Sequence, residues 1–125
     1  MTKLDGHYPY QVPIDSYGNG GFRFADMSHK GSLMCLPSGM WAWNAPAPEG
    51  LTPQFLARAL DEAASINVLL IGTGAGHVMP PAETRAAFAA LGVGIEPMST
   101  GSAARTYNIM LAERRKVAAA LIAVA

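Results

Sequence analysis

The sequence has a single cysteine, Cys35, so it forms no intrachain disulfide and no thiolate metal cluster. Charge is scarce as well. Only 14% of residues are charged, and nine Lys and Arg balance nine Asp and Glu to a formal net charge of +0. No overall basic field exists to attract nucleic acid or anionic lipid, and nucleic-acid partners are not expected. Long hydrophobic runs are missing too. The longest tract near the end, Val117 to Ala125, falls far short of the ~20 apolar residues of a membrane span, which argues against direct membrane insertion. The opening stretch "MTKLDGHYPYQ" contains no hydrophobic signal core, which predicts a cytoplasmic bacterial location. His7, His29 and His77 are far apart and lack metal-ligand spacing, so no metal site is predicted. No G-x-S-x-G elbow presents a nucleophile, and no catalytic residue is assigned.

Half of the residues are apolar, which suits one compact α/β domain over residues 1–125. Residues 1–15 read as an N-terminal extension and about 16–122 as the core. The first third is β-like: "YGNGGFRFAD" predicts a Gly- and Asn-rich turn feeding a strand with Phe22 and Phe24 inward and Arg23 outward. "GSLMCLPSGMWAWN" predicts two strands broken at "PSG". The first is apolar on both faces, so Cys35 is read as a buried, inert thiol and Trp41 and Trp43 as core. A proline-rich connector, 44–50, leads to a helix with Thr52 as N-cap and an apolar stripe of Phe55, Leu56, Ala59, Leu60 and Ala63. "NVLLIG" (67–72), a helix over about 81–90 and "VGIEP" (93–97) form a right-handed strand–helix–strand crossover. A third helix over about 102–114 and a last strand over 116–124 complete a mixed sheet with flanking helices.

The stretch "LLIGTGAGHVMPP" runs a strand into three glycines and two prolines. A dinucleotide fingerprint needs G-x-G-x-x-G with a helix starting inside it. Here the spacing is G-x-G-x-G, position 77 is His, and Pro80 and Pro81 offer no N–H. Glu96, at the end of the next strand, is the one feature that matches a ribose-binding acid. If the two strands are parallel, this loop and "MSTGSAAR" emerge at one edge, where open α/β sheets bind ligands. Ser99 or Thr100 can cap the third helix, and Gly72, Thr73, Gly74, Ser99, Thr100, Arg105 and Asn108 then surround a small carboxylate or phosphate. The competing reading is that the glycines permit tight turns while Arg105 pairs locally, for example with Glu96. The cations of "ERRK" (113–116) suit the negative end of the third helix without a ligand.

"GFRF", "GSLMCLPSGMWAW", "VLLIGTGAGHVMPP" and "LGVGIEPMSTGSAARTYNIMLAERRKVAAALI" together resemble, in order, the Mth938-like domain family. The resemblance implies a three-layer fold around a mixed sheet, with no cofactor and no established catalysis. Because that family includes the mitochondrial complex I assembly factor 3, it also implies protein partners among respiratory-complex subunits or assembly factors. Gly72, Thr73, Gly74, Arg105, Thr106, Tyr107 and Asn108 match its motif as residues of unknown role. Two functions therefore stand: a non-enzymatic interaction or assembly protein, with a homodimer admitted by the near-neutral charge, and a small-molecule or anion binder, or an enzyme, using the two loops.

Overall fold

The computed structural model describes the backbone of residues 2–3 and the whole of residues 6–44 and 51–125. From residue 45 onward, the predicted connector at 44–50 lies outside the described residues. The chain begins with two short strands, β1 (Thr2–Lys3) and β2 (His7–Tyr8). Next, β3 (Ser16–Gly18) turns into β4 (Gly21–Phe24) through Asn19 and Gly20, both at positive φ. Such a two-residue turn matches the right-handed twist of the strands it joins. A second turn of the same kind, at Ala25 and Asp26 with φ of 49° and 62°, leads from β4 into β5 (Met27–Lys30). It contains no glycine, so the sequence pattern does not announce β5. With β1 parallel to β5, these strands form a four-stranded sheet in the order β1-β5-β4-β3.

The larger sheet adds β6 (Ser32–Leu36), β7 (Gly39–Trp43), β8 (Val68–Gly72), β9 (Gly94–Met98) and β10 (Val117–Leu121) to β2. Its order is β2-β7-β6-β10-β8-β9. β10, β8 and β9 are parallel, and β6 runs antiparallel to β10, so the sheet is mixed. Every residue of β6, β8 and β10 is buried, which is why these segments read as continuous apolar runs. At the β9 edge the amide of Gly94 and the carbonyl of Met98 point to the β8 side. Alternation along the strand therefore turns Ile95 and Pro97 outward, and the missing proline N–H falls on the free edge, where it discourages further strand pairing.

Among the described residues three α-helices cover the sheet: α1 (Ala57–Asp61), α2 (Ala82–Ala89) and α3 (Thr100–Ala112). The β8–α2–β9 and β9–α3–β10 crossovers step in opposite directions across the sheet, so their common handedness places α2 and α3 on opposite faces. On one face Leu56, Ala59 and Phe88 pack against Leu69, Ile71, Ala118 and Ala120. On the other, Ala103 and Tyr107 together with Phe22 and Phe24 cover Leu33, Cys35, Leu70, Ala119 and Leu121. This is the three-layer α/β arrangement that the sequence predicts, with the β-rich section folded as its own sheet beside α3.

The first helix is shorter than the apolar stripe predicts. Residues 52–56 form turns, and the indole N–H of Trp43 takes the Phe55 carbonyl at 2.7 Å, a group that a longer helix directs along its own axis. Phe55 is exposed rather than inward. Trp43 is buried as expected, whereas Trp41 is half-buried, with His7 stacked on its ring at 3.7 Å and the Arg58 guanidinium 3.7 Å from the ring centroid.

Candidate functional site

The register pairing Gly72 with Met98 brings the ends of β8 and β9 to one edge of the sheet, so the two loops meet there. Gly72 is required by close approach: a Cβ at this position stands 2.9 Å from the Cα of Thr100. Without that methyl, the first turn of α3 seats directly on β8. Thr100 then braces the loop. Its Oγ1 accepts the Gly74 N–H at 3.0 Å and donates to the Ile122 carbonyl at 2.7 Å, while its own N–H donates to the Gly74 carbonyl at 2.9 Å. The Thr73 N–H donates to the Met98 carbonyl at 2.8 Å, and its hydroxyl donates to the Gly76 carbonyl and accepts the Val78 N–H. Ser99 caps α3, accepting the Ser102 N–H at 3.3 Å.

Gly72, Thr73, Gly74, Ser99 and Thr100 therefore come together as expected, but the N–H groups of Thr73, Gly74, Thr100 and Ser102 are taken by oxygens of Met98, Thr100, Gly74 and Ser99. Arg105 and Asn108 lie elsewhere, along the flank of α3. There a groove of about 320 Å³ runs between the helix and residues 14–17, lined among others by Asp15, Tyr17, Gly101, Arg105 and Asn108. Asn108 holds the groove's wall: its Oδ1 accepts the Ile14 N–H and its Nδ2 donates to the Ile14 carbonyl, both at 2.8 Å. The Tyr17 ring lies over Gly101, in space that any Cβ there would occupy. Arg105 is exposed, and among the described residues it forms no hydrogen bond or ion pair; the ion pair with Glu96 is absent from them.

Sequence reasoning did not anticipate a second crevice at the same edge. At this edge the end of β10 lies beside the end of β8, on the side away from β9. A largely apolar crevice of about 410 Å³ opens at that point, lined by Thr73, Gly74, Val78 and residues 122–125. The strand order that places it is not written in any local motif.

Among the described residues, Cys35 and Tyr107 are the groups whose proton affinity shifts clearly. Burial pushes the Cys35 thiol well above its usual range, and a hydrogen bond with Tyr107 opposes this only partly. Burial also raises the Tyr107 phenol, as does its proximity to Cys35. Its hydroxyl donates to the Val12 carbonyl at 2.8 Å. Both groups stay protonated at neutral pH, so the pair offers neither a nucleophile nor a base. Among the described residues no cluster of His, Cys, Asp and Glu is arranged to hold a metal ion, and no helix is long and apolar enough to cross a membrane.

A mixed sheet between two covering layers, with a small sheet beside α3, defines an α/β domain of the Mth938-like kind. The chain belongs to the family described as Protein of unknown function (DUF498/DUF598), which matches residues 14–122. A Bartonella henselae protein, described as an outer membrane protein, has a crystal structure similar to this one at a TM-score of 0.88. The two are 49% identical over 95% of this chain and 100% of that one. A Bordetella pertussis protein described as a Mth938-like domain gives a TM-score of 0.77 at 28% identity, covering 90% of this chain and 85% of that one. The chain is also 27% identical over 122 residues to mouse NADH dehydrogenase (ubiquinone) 1 alpha subcomplex assembly factor 3. The match covers 98% of this chain and 66% of the mouse protein.

Proposed function

We propose that this protein acts through protein contacts, supporting assembly of a respiratory NADH dehydrogenase, and that its contact face is the groove between α3 and residues 14–17. The observation that carries this reading is an unpaired, exposed Arg105 sharing a groove with Tyr17, which is 47% exposed, while Ile109, one turn further along α3, is 55% exposed. Tyrosine and arginine are the residue types that dominate interface energetics, and a large apolar neighbour supplies area to bury. The wall of the groove is fixed by Asn108, so a partner meets a surface already in shape. The name of the mouse relative supports the choice of partner class, respiratory-complex subunits or their assembly factors. Deleting the gene and resolving the host's respiratory complexes on native gels tests the role. Loss of assembled NADH dehydrogenase is expected, with restoration by the wild-type chain and none by Arg105→Glu combined with Ile109→Ser. Normal assembly in the deletion strain refutes it. Sedimentation of the purified chain separates a homodimer from a partner of another kind.

A second reading has one observation in its favour. The guanidinium of Arg105, lacking a partner, can bind a small carboxylate or phosphate in the same groove. Because the N–H groups of Thr73 and Gly74 are bonded within the chain, Arg105 is the group such an anion engages. A phosphate-dependent rise in the unfolding temperature that disappears in Arg105→Ala is expected on this reading; an unchanged rise ends it.

A further inference from the structure

We infer a second, separate site: a phosphate-binding cleft at the opposite rim of the sheet, formed by Arg114, Arg115 and Lys116. These three consecutive cations are a third of the nine Lys and Arg in the chain. All three are exposed. Together with Asn67, Val68 and Met110 they line a cavity of about 400 Å³ at the C-terminal end of α3. The only ion pair there among the described residues is Arg115 with Glu113, at 3.8 Å and with both side chains more than half exposed. Such a pair is weak, and it leaves the cleft with a net charge of about +2.

Cations at a helix C-terminus also complement the helix dipole, and that explanation accounts for a basic residue somewhere in the last turn. It does not account for Arg114. α3 ends in the same motif as α2: the Arg114 N–H donates to the Leu111 carbonyl and the Arg115 N–H to the Met110 carbonyl. In α2, the Gly92 N–H donates to the Ala89 carbonyl and the Val93 N–H to the Phe88 carbonyl. The pivotal residue is left-handed in both, with φ of 79° at Gly92 and 60° at Arg114. Glycine is the usual occupant of this position. One helix follows that preference, and the other places a bulky cation there, facing the cleft. A side chain kept against its backbone preference points to a task.

Chemistry selects the ligand class. Guanidinium forks match the oxygens of phosphate in paired hydrogen bonds, and a local charge of about +2 matches a phosphate monoester, which carries about −1.5 to −2 at neutral pH. A soluble phosphate monoester and the headgroup of phosphatidic acid present the same group. The cleft lies at the opposite end of the strands from the glycine loop, so this inference does not rest on the assembly reading.

The test uses the full chain, with glycerol phosphate in titration calorimetry and vesicles containing phosphatidic acid, or phosphatidylcholine alone, in co-sedimentation. Saturable binding of glycerol phosphate assigns a soluble ligand. Binding confined to vesicles containing phosphatidic acid assigns a headgroup. In either case Arg114→Gly is expected to weaken binding at least tenfold while raising the unfolding midpoint by about 4 °C, because the backbone relaxes as the charge is lost. Arg115→Ala weakens the same binding without the rise in midpoint. Absence of binding to both probes, or an Arg114→Gly chain that binds as tightly as wild type, overturns the proposal.

Discussion

Replacing Thr100 with Val leaves the volume beneath the glycine loop almost unchanged and removes one oxygen. That oxygen is the acceptor for the Gly74 N–H and the donor to the Ile122 carbonyl, at 3.0 and 2.7 Å. Thr100 is fully buried and Ile122 nearly so, which leaves the carbonyl no access to solvent. An unsatisfied buried group costs about 1–3 kcal/mol. Gly74 is half-buried, and water can recover part of its bond. The two losses together therefore come to about 2–4 kcal/mol. For a chain of this length that corresponds to a fall in the unfolding midpoint of about 8–15 °C.

Thr100→Ser is the control, because it keeps the hydroxyl and loses only a methyl, at about 1 kcal/mol. Urea unfolding of the three chains, read by tryptophan fluorescence, gives the stabilities directly. The ordering wild type, Ser, Val is expected, with Val well separated from Ser. If Val matches wild type, or if Ser is as damaging as Val, the hydroxyl is not the brace and packing alone holds the loop to α3.

Gly72→Ala introduces a methyl 2.9 Å from the Thr100 Cα; overpacking of this kind costs about 1–3 kcal/mol, and a midpoint equal to wild type in urea shows that the helix is free to shift. Asn108→Ala removes both bonds to the Ile14 backbone, an expected loss of about 2–4 kcal/mol in chemical unfolding; Asn108→Asp, which keeps the acceptor but not the donor, should fall between. Stability should also decline above about pH 9. Cys35 and Tyr107 both hold their protons more tightly in the native state than at their ordinary values of 9.0 and 10.0. The stability they contribute is therefore complete below pH 9 and is lost as pH rises through those values, at about 1.4 kcal/mol per pH unit for each group. Unfolding measured from pH 8 to 11 should show the decline starting about one unit later in Cys35→Ala; an identical profile in both chains shows that the thiol is not its source.

The sequence made the central elements legible because burial leaves a pattern. "VLLIG" and "SLMCL" read as strands covered on both faces, and both are. The pairing of Phe22 with Phe24, inward across Arg23, was equally plain. Features set by partners distant in the chain were not. Ala25 and Asp26 form a left-handed turn that their residue types conceal, and β5 went unread with it. Apolar spacing alone extends the first helix too far, because it continues through Phe55, whose carbonyl is claimed by Trp43. At the loops the expected proximity holds, but proximity does not determine which groups remain free: Thr100 takes the Gly74 N–H, Met98 takes that of Thr73, and Asn108 spends its amide on Ile14. Gly101 did carry a usable signal. A glycine in the first turn of a helix costs stability, and the ring of Tyr17 lying over it supplies the reason.

Net charge misleads in a comparable way. A total of +0 removes long-range attraction, yet screening limits any charge's reach to about 8 Å at physiological salt, so a ligand inside a cleft responds to the charges lining it and not to the sum over the chain. Arg105 lies in α3 and Arg114 just past its end, more than about 10 Å away along the axis, beyond that screening length. α3 itself is held along its length by Thr100, Tyr107 and Asn108, which leaves no obvious element with two arrangements to couple its ends. The two faces should therefore behave as independent sites. Arg105→Glu is expected to abolish partner binding and leave phosphate affinity within twofold of wild type, and Arg114→Gly to do the reverse. If instead each substitution weakens both interactions, the two ends of α3 serve one extended surface, and the division into two sites is wrong.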